Sequence, residues 1–159
     1  MLKSCYMFTY SLISNNIINI KFKKFMKYLF ENSTHFTLTF HNEDYDEVLY
    51  KNLSSFLIKN IKTFNWYRYK TLENPLNIFV YSSNIVSMNI ILNNFNSLFE
   101  YHYGIEDICF FNKSKLIFGS VTHENIADLF LDFKDDIKYF KEFGDWKLTN
   151  YKQDIDFNF

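Results

Sequence analysis

Glu106, Asp107, His123 and Glu124 are the residues whose types and spacing lend themselves to chemistry. A carboxylate beside an imidazole can orient it as a general base or raise its pKa, and the sequence between them reads as a hairpin that would draw the four together. The usual partners of such groups are missing. The chain contains no GxGxxG, GxxxxGK[ST] or GxSxG, and its four histidines, His35, His41, His102 and His123, have neither HxH nor HxxxH spacing nor a neighbouring cysteine pair. Asp107 and His123 are therefore expected to tie strand ends together or to present a polar recognition surface. The protein is read as a non-enzyme with no cofactor and no metal, a small enzyme using His123 with Asp107 or Glu106 being the alternative.

Two further groups have the types found at interfaces. Trp66, Tyr67, Arg68 and Tyr69 follow one another, and aromatic residues with arginine supply much of the binding energy at protein contacts, so Trp66 and Arg68 join the candidate contact residues; a half-buried strand accounts for them equally well. Glu43, Asp44, Asp46 and Glu47 form an acidic run before an apolar periodic segment, where carboxylates complement a helix N-terminus. With Glu106, Asp107, Glu124 and Asp128 they form the candidate acidic contact set.

The elements that must position these groups are legible in the periodicity. KFKKFMKYLFE at 21–31 places Phe22, Phe25, Met26 and Leu29 on one helical stripe between lysines, the pattern of a core-packing helix. HFTLTF at 35–40 alternates as a strand. A helix is expected over 48–61, a short strand over 63–69, a strand over 77–83, and a helix capped by Ser83 or Asn84 that runs to about Glu100. EDICFF and KLIFGSV flank Asn112, Lys113 and Ser114 as a β-hairpin, with Cys109 opposite Phe118, Ile108 opposite Gly119 and Asp107 opposite Ser120. ENIADLFL can continue as strand, and a helix over 133–143 stops at Gly144. The expectation is one α+β (mixed α/β) domain over 1–159, with a sheet of about five to six strands against about four helices and with residues 1–15 and 147–159 frayed or peripheral.

The 159 residues are 48% hydrophobic and 21% aromatic, so rings are expected to dominate the core. A net charge of -1 argues against a general nucleic-acid or membrane-surface binder. The balance is uneven: residues 1–70 carry ten Lys+Arg against five Asp+Glu, and residues 71–159 seven against thirteen. That polarity suits docking to a charged protein partner, and solvated faces without a partner explain it as well. Cys5 and Cys109 are too few for a disulfide framework, and Cys109 in its apolar run reads as a small buried hydrophobe. No signal peptide or membrane-spanning run is read, so a cytoplasmic location is expected.

Residues 96–130, NSLFEYHYGIEDICFFNKSKLIFGSVTHENIADLF, resemble a pattern of small bacterial proteins in which an SLF segment precedes a P-E-D-L-x-F-F strand, a short turn and a strand ending in T-H-E or S-H-E. Gly104 and Ile105 stand where proline is common in that pattern, so the turn into the strand is expected to differ. Several such proteins resemble immunity proteins that neutralise toxin domains of contact-dependent growth inhibition or related polymorphic toxin systems. The resemblance implies a binder and not an enzyme, with no catalytic residue carried over. The leading expectation is a monomer or weak dimer that occludes a cognate toxin, a nuclease foremost because the acidic contact set could mimic phosphate. A structural or regulatory interaction module without a toxin partner is the remaining reading.

Overall fold

The computed structural model describes residues 7–41 and 44–153. Its order is β1 (Phe8–Leu12), α1 (Asn19–Glu31), β2 (His35–Phe40), α2 (Glu47–Leu53), β3 (Leu57–Thr63), β4 (Asn65–Trp66), β5 (Tyr69–Lys70), β6 (Leu76–Ser82), α3 (Ile85–Asn94), β7 (Ile105–Asn112), β8 (Lys115–Val121), β9 (Ile126–Leu131) and β10 (Trp146–Thr149). Single turns of 3-10 helix follow α2 and β8, and a longer 3-10 segment, Lys134–Phe140, follows β9. Eight strands form one sheet in the order β10-β1-β9-β8-β7-β2-β6-β3, every pair antiparallel, and β4 and β5 form a small separate hairpin. The α+β class is as the periodicity predicts, but the sheet has more strands than the five to six expected.

The extra strands come from segments with little periodic signal. Phe8–Leu12 is no frayed end: it pairs with β9 on one side and β10 on the other, because Tyr10 and Leu12 have a core to enter. Trp146–Thr149 is likewise held as the edge strand beyond it. The helix expected over 48–61 stops at Leu53, and Leu57–Thr63 becomes a strand on β6. Ser54 bonds back to the Lys51 carbonyl, and the β-branched Ile58, Ile61 and Thr63 suit the pleat better than a helix. β3 is the other edge of the sheet, with its Lys59 and Lys62 outward, a charge pattern that discourages edge-to-edge pairing.

Both faces of the sheet are covered. On one, α1 buries Phe22, Phe25, Met26, Leu29 and Phe30 against Phe36, Phe110 and Phe118, while Lys21, Lys23, Lys24 and Lys27 face outward. The rings meet edge to face, as between Phe25 and Phe118 at 5.2 Å. α3 starts with Asn84 and Ser87 in a reciprocal cap and packs beside α1. On the other face, the β4–β5 hairpin lays Trp66 and Tyr67 over Ile78, Cys109, Phe111, Leu116, Val121 and Phe130. Burial pushes the Cys109 thiol up to about 12, which keeps it protonated and inert at neutral pH. Among the described residues no helix is long and apolar enough to cross a membrane.

Gly119 marks the closest approach of the two layers, since a Cβ there would lie 2.7 Å from the Tyr67 ring. Gly119→Ala is expected to destabilise the fold by about 1–3 kcal/mol through overpacking. Urea unfolding measures this, and Gly144→Ala serves as the milder comparison because the added methyl there meets the flexible ends of Leu12 and Ser14.

Candidate functional site

The hairpin of β7 and β8 forms where the sequence places it, but in a different register. Asn112 opposes Lys115 and Phe111 opposes Leu116, after which a bulge sets Phe110, and not Cys109, opposite Phe118. A second irregularity lies at Asp107, whose φ of 58° is left-handed, a conformation that aspartate tolerates better than most residues. Asp107 then faces Thr122 in place of Ser120. Its N–H donates to Thr122 Oγ1 at 3.2 Å, and its Oδ1 accepts from the Thr122 N–H at 2.7 Å. Strand ends are tied here as expected, with Thr122 in the role given to His123.

The histidine that meets the two carboxylates most closely is His41. It follows β2, where the alternation that buries Phe36, Leu38 and Phe40 on the helix face sends residues 37, 39 and 41 to the other. Its N–H bonds to the Gly104 carbonyl at 2.8 Å. Nε2 lies 2.9 Å from Glu106 Oε1 and 3.8 Å from Asp107 Oδ2. The nearer oxygen stands off the ring N–H direction, so the contact is an ion pair and not an aligned hydrogen bond. Asp107 and Glu106 together favour the imidazolium and raise the His41 pKa to about 9, against the opposing effect of burial. His123 adds Nδ1 at 3.7 Å from Glu106 Oε1 and Nε2 at 3.8 Å from Glu124 Oε1, with Tyr69 edge-on to its ring. His41, Glu106 and Asp107 offer donor atoms within 4.8 Å of one another, the donor types of a divalent metal site.

A second loop pair continues this end of the molecule. Asp46 caps α2 by accepting from Val48 and Leu49 N–H, and its other oxygen lies 2.7 Å from His102 Nε2. The Leu49 bond foremost, then His102, hold its carboxyl below the usual range. Asp44 raises the pKa of the Tyr103 hydroxyl, and the Asp46 N–H donates to the Tyr103 carbonyl at 3.0 Å. Gly104 permits this approach: it has φ 71°, and a Cβ there would sit 2.4 Å from the Asp44 carbonyl. Asp44, Asp46, Glu47, Glu106, Asp107, His123 and Glu124 thus come to one end; Glu43 lies outside the described residues.

Trp66, Arg68 and Asp128 do not join them as contact residues. Asp128 has 0% exposure, and its carboxylate accepts from Tyr67, Ser11 and Arg68, the last at 2.5 Å. The Arg68 guanidinium also stacks on Tyr151 at 3.7 Å. Trp66 is buried beside Phe111. The aromatic and arginine cluster is spent inside the molecule, where it pins the β4–β5 hairpin to the sheet. Nothing in its composition distinguishes that use from an interface. His41 and Thr122 were missed by motif spacing; the alternation through HFTLTFH was the signal for His41. Compared with known proteins, the chain matches no family model, no curated protein and no solved structure.

Arg68→Met is expected to cost about 3–5 kcal/mol, because it leaves the buried Asp128 carboxylate without its cation. Equilibrium urea unfolding at neutral pH provides the check. For His41, the stability difference between the wild type and His41→Gln should be full below pH 6.5, where both folded and unfolded imidazoles are charged, and should vanish as pH rises through about 9. Unfolding free energies collected from pH 5.5 to 9.5 with chelator present test the sign.

Proposed function

We propose that this chain is an immunity-type protein that binds a toxin domain and blocks it by occlusion in the cytoplasm, acting through its acidic, tyrosine-flanked end and without turnover. The observation that carries the reading is the unbroken series of contacts at that end. The Tyr103 carbonyl and His102 with Asp46, and His41 and His123 with Glu106, join two acidic sets some sixty residues apart in sequence. The side chains of Glu47 and Glu124 remain 80% and 47% exposed, and Tyr101 and Tyr103 stand beside them at 67% and 54%. Exposed carboxylates steer a basic partner, and rigid tyrosines give contact area at low entropic cost.

The resemblance over 96–130 supports the same surface, since its EDICFF strand and THE turn supply half of it. A nuclease toxin fits because an enzyme acting on a polyanion presents basic groups that carboxylates can engage in place of phosphate. The Asp46 cap and the buried pair Glu106 and Asp107 then support the surface, and Asp44, Glu47 and Glu124 make the contact.

Co-expression with the protein encoded beside this chain should rescue growth and yield a co-purifying pair. Asp44→Lys, Glu47→Lys and Glu124→Lys combined should slow association by roughly tenfold or more and flatten its salt dependence. Rescue and association rate unchanged by the triple reversal reject this surface, and failure of the wild type to bind its neighbour rejects the reading.

A further inference from the structure

Glu106 and Asp107 are adjacent carboxylates, 8% and 7% exposed, and among the described residues no lysine or arginine forms an ion pair with either. Their cationic neighbours are two imidazoles. A single imidazolium leaves this buried pair with one negative charge in excess, whereas a doubly charged ion, ligated by neutral imidazole, would balance both carboxylates. Thr39 adds an independent sign. It is 1% exposed, lies directly across from Glu106 in the β2–β7 register and so shares its face, and its hydroxyl has no hydrogen-bond partner among the described residues. A buried hydroxyl left unpaired beside a carboxylate is unfavourable unless a further group occupies the space.

We infer that His41, Glu106 and Asp107 form a binding site for a divalent transition-metal ion of the zinc class, with His123 the nearest group to complete the coordination. The spacing is close to what such an ion requires. Bonds of about 2.0–2.2 Å in a tetrahedron place ligand atoms about 3.3–3.5 Å apart. His41 Nε2 stands 2.9 Å from Glu106 and 3.8 Å from Asp107, each within about half an ångström of that spacing, and the donor atoms of the three residues lie within 4.8 Å of one another. His123 Nδ1 stands outside that group, 3.7 Å from Glu106, and would have to move in to join it. Asp107 is already oriented: its Oδ1 is held by the Thr122 N–H, which leaves Oδ2 toward His41. Imidazole with carboxylate favours zinc, manganese or iron(II) over magnesium, which retains its waters, and calcium, which takes six or more oxygens. The expectation of no metal rested on spacing along the chain; here the ligands come from two strands and the turn after a third.

Isothermal titration of the full chain with Zn2+ should show one equivalent bound, weakened at least tenfold in His41→Gln and in Glu106→Gln and unchanged in the distant His35→Gln. Mg2+ in place of Zn2+ should give no saturable heat. In the wild type, the ring 15N resonances of His41 should move on adding one equivalent of Zn2+ while those of His35 stay, a readout that holds even if a variant fails to fold. Absence of stoichiometric binding by the wild type, binding that survives both substitutions, or a stationary His41 resonance each overturns the inference.

Discussion

Two neighbouring residues of a β-strand point to opposite faces of the sheet, so Glu106 and Asp107 can both meet His41 only if the strand is broken between them. The left-handed turn of the backbone at Asp107 supplies that break, and the reciprocal hydrogen bonds with Thr122 hold it. Everything at this end depends on the clip. It directs the second carboxylate to the side of the first, fixes the start of the 3-10 turn that carries His123 and Glu124, and ties β7 to the residue after β8, beyond their paired residues. The cost is a non-glycine residue at positive φ, of the kind that structures keep where geometry matters more than relaxed backbone.

The rest of the molecule is organised so that this end, and not a sheet face, is open. Helices cover one face with a core of phenylalanines, and the β4–β5 hairpin covers the other. The hairpin is too short to hold itself there by area alone. Its anchor is the Asp128 carboxylate, wholly buried yet met by Tyr67, Ser11 and Arg68, so that a charge which would be prohibitive alone becomes a fixed point for three segments. The proposal that the chain works by binding draws on that layout, in which exposed tyrosines and exposed carboxylates share one end.

Much of this was legible. The phenylalanine stripe of α1, the alternation of β2 and the hairpin turn at 112–115 are strong local signals, because each writes its burial into a fixed period. The eight-stranded sheet was not, since β1, β3 and β10 owe their existence to partners supplied from elsewhere in the chain. Of the site, Glu106, Asp107, His123 and Glu124 were identified and His41 was not: motif spacing compares residues along the chain, and the β2–β7 pairing that joins His41 to them is long-range. Asp128 shows the opposite error. An acidic residue in a strand reads as surface, and only the arrival of Arg68 and Tyr67 from sixty residues away makes its burial affordable.

The clip at Asp107 is the central claim, and amide hydrogen exchange tests it most directly, because the N–H groups of Asp107 and Thr122 both donate to side chains of the clip. Protection of these two amides matching that of the β7 and β8 core amides is what the account predicts. Exchange of both at the rate of open loops, with the neighbouring strand amides still protected, would contradict it.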